Sequence, residues 1–128
     1  MEPLATQSSG RCVVIIEDDA SLLSSLVFAL EAESFRVRAF SRGLPLIAYP
    51  VAADCLVVDM RLPDIDGLRL IARLRDAGID APAILMTTNP DARVRGAALA
   101  GNIRIVEKPL VTEELRRQID ALIAARRA

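Results

Sequence analysis

The stretch DCLVVDM, Asp54 to Met60, decides how the rest of the chain is read. Its interior is continuously apolar, as a strand buried on both faces must be. A helical pattern follows: Asp66 can cap it, Leu70, Ile71 and Leu74 share one face, and Gly78 stands just past its end at Ala77. A buried strand, a turn and an amphipathic helix make one unit of a parallel sheet, and the same unit recurs on either side.

Upstream, Cys12 to Ile16 (CVVII) is a β-branched run that reads as a buried strand. Ser21 to Glu33 carries Leu22, Leu23, Leu26, Val27 and Leu30 at the spacing of one helix face, with Asp19 as its cap. Phe35 to Phe40 alternates Phe35, Val37 and Ala39 with Arg36 and Arg38, a half-buried strand, and Gly43 to Ala48 is a short helix cut off near Pro50. Downstream, Ala83 to Thr87 is a fourth strand. Asn89-Pro90 reads as a cap with proline at the first helical position, opening a helix to about Ala100. Ile103 to Glu107 is a fifth strand, and Thr112-Glu113-Glu114 caps a last helix with Leu115, Ile119, Leu122 and Ile123 facing inward. Arg126 and Arg127 suit the negative end of its dipole.

Five strands alternate with five helices. Right-handed crossovers turn that order into an open, doubly wound α/β parallel sheet with helices on both faces. At 128 residues the chain is sized for one domain, expected over residues 11–128 behind a flexible tail, Met1 to Gly10. Hydrophobic residues make up 52% and charged residues 26%, the balance of a globular chain.

Composition removes several chemistries. The chain has no histidine, so it has no Ser-His-Asp triad, no histidine base and no His-bound zinc. Cys12 and Cys55 are too few for a disulfide framework or a Cys₄ metal site and read as small buried hydrophobes. With a net charge of −1, no tryptophan and one tyrosine, neither electrostatics nor base stacking favours direct contact with nucleic acid. No apolar run is long enough to span a membrane, and the polar N-terminus has no signal-peptide character, so the expected compartment is the cytoplasm.

The chemistry lies in what ends the strands. Strand one ends in Glu17-Asp18-Asp19, strand three in Asp59, strand four in Thr87-Thr88 and strand five in Glu107-Lys108-Pro109. In open parallel sheets the carboxyl ends of the strands form the site. Carboxylates gathered there would repel one another unless a cation joined them. Mg²⁺ suits one or two carboxylates, a backbone carbonyl, waters and a phosphoryl oxygen. One carboxylate can then attack phosphorus, and a lysine and a hydroxyl can face the transferred oxygens. Lys108 is the only lysine; the other fifteen basic residues are arginine. Arginine and lysine are not interchangeable, and a lone lysine at a strand end points to a role.

These four motifs, in order and on the right strands, resemble the receiver domain of bacterial two-component response regulators. The resemblance runs from Arg11 to Ala124 and rests on VIIEDD ending at Asp19, VVDMRLPDIDG ending at Gly67, ILMT ending at Thr87, and Glu107-Lys108-Pro109. It implies the flavodoxin-like (βα)5 strand order 2-1-3-4-5. It implies Asp59 as phosphoacceptor, and Mg²⁺ held by Asp18, by Glu17 through water, by Asp59 and by the Arg61 carbonyl. Thr87 would bond the phosphoryl group and, with Ile105, form the switch. Lys108 would pair with the phosphoryl oxygens, the Lys108–Pro109 peptide would be cis, and Pro63 and Gly67 would shape the loop beside Asp59. The implied partner is a sensor histidine kinase or histidine phosphotransfer protein, with a downstream protein target or a homodimer as output. The implied role is a phospho-accepting switch whose only catalysis is its own phosphorylation and dephosphorylation.

Three positions depart from the family's usual pattern. Ile105 stands where an aromatic is common, Thr88 is bulkier than the residue usual after Thr87, and the fourth helix is short and holds Gly96. Two other readings stand beside the main one. A degenerate receiver would act as a binding or dimerisation module without phosphorylation. An aspartyl-phosphate phosphatase would need a second acid two residues after Asp59, where Arg61 stands.

Overall fold

The structure, a computed structural model, describes residues 11–127. The expected tail, Met1 to Gly10, lies outside the described residues. The elements are β1 (Cys12–Ile16), α1 (Ala20–Ala32), β2 (Arg36–Phe40), α2 (Leu44–Ala48), β3 (Cys55–Asp59), α3 (Gly67–Asp76), β4 (Ala83–Thr87), α4 (Ala92–Ala100), β5 (Ile103–Glu107) and α5 (Thr112–Arg127). The strands form one parallel sheet in the order β2-β1-β3-β4-β5, as expected.

The three central strands are buried almost throughout because helices cover both their faces. Their side chains alternate between two cores. Val13, Ile15, Cys55, Val57, Ile84 and Met86 pack with Leu26 and Leu30 of α1 and Leu115, Ile119 and Ile123 of α5. Val14, Ile16, Leu56, Val58 and Leu85 pack with Leu46 of α2, Leu70, Ile71 and Leu74 of α3, and Val94 of α4. Each fully buried aliphatic side chain contributes about 1.5–3 kcal/mol of transfer free energy, which makes this double-sided sheet the main source of cohesion.

The edge strands follow a different rule. β2 packs Val37 inward but leaves Ala39 exposed, so the alternation expected from Phe35 through Ala39 fades at its C-terminal end. Cys12 is half-buried and Cys55 buried; both are free thiols. Burial pushes the Cys55 thiol up to about 12.

Two helix starts differ from the sequence expectation. α4 begins at Ala92, not at Pro90, and its cap is Asp91, whose carboxylate accepts from the Val94 amide at 2.9 Å. Asn89 instead takes a left-handed conformation, φ 46°, and turns the chain ahead of the helix. At the last helix, Thr112 is the first helical residue and not a cap; the Leu115 amide closes the first turn on the Val111 carbonyl. The caps expected at Asp19 and Asp66 are both present, accepting from Leu22 and Arg69.

Candidate phosphoacceptor and metal site

The order β2-β1-β3-β4-β5 places the end of β1 beside the end of β3, and β4 and β5 next in line. Glu17, Asp18, Asp59, Thr87, Thr88 and Lys108 therefore line one cleft of about 280 Å³ at the carboxyl edge of the sheet, together with Asp19, Met60 and Arg61. The burial is graded. Glu17 is wholly buried, Asp59 is 5% exposed and Thr87 7%, while Asp18 is open to solvent.

Lys108 sits between the two buried carboxylates. Its Nζ lies 3.0 Å from Glu17 Oε1 and 3.3 Å from Asp59 Oδ1. The Lys108 amide donates to the Thr87 carbonyl at 2.8 Å, so the β4 partner of β5 fixes where the lysine leaves the sheet. Burial alone would lower the Lys108 pKa, but the hydrogen bond it donates to Glu17 and the charge of Asp59 outweigh it and hold it above the usual lysine value. Glu17 moves the same way. Burial raises its pKa and the Asp59 charge adds to that, exceeding the opposing effect of the Asp19 amide and Lys108. Glu17 Oε2 accepts from that Asp19 amide at 3.0 Å, so both of its oxygens are occupied.

The loop after β3 is closed tightly under Asp59. The Arg61 amide donates to Asp59 Oδ1 at 3.3 Å, and the Gly67 amide donates to the Met60 carbonyl at 2.8 Å. Position 67 has no room for a side chain: a Cβ there would lie 2.5 Å from the Asp59 carbonyl oxygen and 2.8 Å from Leu85 Cδ1. The Lys108–Pro109 peptide is cis.

Among the described residues, Glu17, Asp18 and Asp59 offer carboxylate oxygens that all lie within 4.8 Å of one another. This all-oxygen, anionic set fits a hard divalent cation better than a soft one. The sequence reading thus names the residues that meet at the sheet edge. It does not foresee that Lys108 joins Glu17 to Asp59. Arg61 has its side chain exposed, and no second acid stands at that position for a phosphatase. Ile105 is half-buried and packs into the core under α3 and α4, paired with Leu85. Thr88 is exposed at the mouth of the cleft.

Sequence reading passes over Asp64 altogether. It lies in a turn-like Pro63-Asp64 segment, and its partners, Gly43 and Leu44, are 20 residues away and more.

The family model described as "Response regulator receiver domain" matches residues 13–120. The chain is 31% identical over 120 residues to the transcriptional regulatory protein FixJ of Rhizobium meliloti (strain 1021), covering 88% of this chain and 59% of that protein. It is 34% identical over 124 residues to the cyclic di-GMP phosphodiesterase response regulator RpfG of Xanthomonas campestris pv. campestris (strain 8004), covering 91% of this chain and 33% of RpfG. The chain therefore spans only part of the length of these relatives. Among solved structures, the CheY-like receiver domain protein of Methanospirillum hungatei JF-1 superposes with a TM-score of 0.82 at 20% identity, covering 90% of this chain and 94% of that one. FixJ-N superposes at 0.78 with 26% identity, covering 89% and 94%. With its sheet order, its strand-end carboxylates and its lone lysine at the end of β5, the chain belongs to the response regulator receiver domain family.

Proposed function

We propose that the chain is the phospho-accepting switch of a two-component pathway, with Asp59 receiving a phosphoryl group from a sensor histidine kinase or a histidine phosphotransfer protein. One observation carries the reading. A nearly buried carboxylate at a sheet edge has an ammonium group at 3.3 Å and two more carboxylates within metal-holding distance.

An Asp59 carboxylate oxygen attacks the phosphorus of a phosphohistidine. The new O–P bond forms as the N–P bond breaks, and the bonding electron pair leaves with the imidazole nitrogen, which takes a proton from water. Lys108 faces the oxygens of the transferred group, and the Thr87 hydroxyl donates to one of them. Asp18, Asp59, the Arg61 carbonyl and, through water, Glu17 would hold Mg²⁺. When bound, Mg²⁺ neutralises charge on the attacking carboxylate and the phosphoryl oxygens. Asp59 is held ready by its own chain, since Lys108 and the Arg61 amide both grip Oδ1.

Thr87 transmits the event: its hydroxyl moving toward the phosphoryl group draws the segment leading to α4. Ile105 receives that shift by packing, with no ring to turn inward. The output is a protein contact, with a downstream target or a second copy, and the domain works in the cytoplasm without touching nucleic acid. Among the described residues no helix is long and apolar enough to cross a membrane.

The test is intact-protein mass after incubation with a small phosphodonor, with and without Mg²⁺, for wild type and Asp59→Asn. The expected result is a Mg²⁺-dependent gain of one phosphoryl group that the variant lacks. No gain under any condition, or equal gain by the variant, overturns the assignment.

A further inference from the structure

The loop from Met60 to Gly67 carries the backbone carbonyl assigned above to the metal, and it is anchored at both ends. At its base, the Gly67 amide bonds the Met60 carbonyl, and Arg61 faces Asp66 in an isolated antiparallel bridge. At its tip, Asp64 reaches out of the loop to the start of α2. Asp64 Oδ1 accepts from the Gly43 amide at 3.0 Å, and Oδ2 accepts from the Leu44 amide at 2.7 Å. The Asp64 side chain is only 13% exposed.

The fit at this contact is close. A Cβ on Gly43 would come within 2.6 Å of Ile65 Cγ2 and 2.9 Å of Leu70 Cδ2. The β2–α2 connection is therefore pressed against the metal loop, with glycine where backbone meets side chain. Burial raises the Asp64 pKa, but the amides of Gly43, Leu44 and Asp64 itself, together with Arg42, outweigh it and hold the carboxyl below the usual aspartate range. A carboxylate taking two backbone N–H bonds is a strong and directional clamp. Arg42, 60% exposed and 4.0 Å away, adds little to it.

We propose that Asp64 is a positioning residue for the cation: by clamping the loop tip to the start of α2, it holds the Arg61 backbone where its carbonyl meets the metal held by Glu17, Asp18 and Asp59. The inference rests on the phosphoacceptor reading. A loop free at its tip would have to be ordered by the ion, and that ordering would come out of the ion's affinity. Groups that orient a ligand without touching the metal commonly set its affinity by 10–100-fold.

The experiment is calorimetric titration of Mg²⁺ into the metal-free full chain as wild type, Asp64→Ala, Asp64→Asn and Arg42→Ala. Amide hydrogen exchange at Gly43 and Leu44, and phosphoryl uptake from a small donor across Mg²⁺ concentration, are followed alongside. Asp64→Ala should bind Mg²⁺ about tenfold more weakly. Asp64→Asn, which keeps one acceptor oxygen, should fall between, and Arg42→Ala should stay within about twofold of wild type. Exchange at Leu44 should quicken in Asp64→Ala, and its phosphoryl uptake should fall at low Mg²⁺ yet return to the wild-type rate at saturation. Unchanged Mg²⁺ affinity in Asp64→Ala, or in Asp64→Asn where the alanine variant does not fold, overturns the proposal. So does an uptake deficit that saturating Mg²⁺ leaves in place, which would mark the clamp as serving the fold alone. A wild type that binds no Mg²⁺ sinks the metal reading beneath both, and that result appears before any variant is compared.

Discussion

Lys108 has two buried carboxylates within 3.3 Å, Glu17 and Asp59, and the protein holds all three in one cleft. Removing the lysine would leave Glu17 and Asp59 close together and uncompensated, a costly arrangement in a shielded site. The pH dependence follows from its raised pKa. The stability that Lys108 contributes is fully present below its ordinary value of 10.5 and is lost as pH rises through its higher native value. In metal-free buffer, Lys108→Met should therefore melt below wild type at neutral pH, and the gap should narrow as pH climbs past 10.5. Thermal unfolding of the two proteins across that range checks it; a gap that stays constant would mean the ammonium charge does not support the site. Lysine's importance was legible because it is the only one in the chain, placed after an apolar strand. Its double pairing was not, because Glu17 lies 91 residues away and no local pattern links them.

At the scale of elements, α4 is lightly held against the sheet. Only Val94 and Ala98 bury on it, Leu99 is 83% exposed, and one ion pair, Arg95 to Glu107 at 3.1 Å, fastens it to β5. Gly96 sits in its middle with open space where a Cβ would go. Gly96→Ala should therefore stabilise the domain by about 0.5–1 kcal/mol through helix propensity. Gly67 also lies in a helix, at the start of α3, but a Cβ there would meet the Asp59 carbonyl oxygen at 2.5 Å, so Gly67→Ala should destabilise the fold and disturb Asp59. Urea unfolding of both variants measures the contrast; equal effects would show that close packing at position 67 does not matter. The same helix shows where local reading stops. Asn89 and Asp91 are both capping residues two positions apart, and nothing near them in sequence chooses between them. The core chooses: a start at Ala92 puts Val94 and Ala98, four apart, on the face turned toward the sheet.

At the scale of the whole molecule, the alternation of apolar runs with amphipathic helices made the parallel sheet readable, because a strand covered on both faces has to be apolar throughout. The strand ends then named residues that meet in one cleft at the sheet edge. The braces around the site stayed hidden, since Asp64 to Leu44 and Glu17 to Lys108 exist only once distant elements have met. A cation bound at that meeting place is coupled to the entire fold. Its carboxylates come from the ends of β1 and β3, so the unfolded chain offers no equivalent site, and binding must add to global stability. At a Mg²⁺ concentration one hundred times the dissociation constant the gain is about 2.7 kcal/mol. For a domain of this size that is an upward shift of about 10 °C in Tm. Asp18 is the informative residue to change, because it is the exposed member of the carboxylate cluster. Asp18→Asn should melt close to wild type in chelator and gain much less from the same Mg²⁺. Should the two proteins gain equally, the stabilising ion sits elsewhere; should neither gain, the carboxylate cluster does not hold Mg²⁺ in the folded protein.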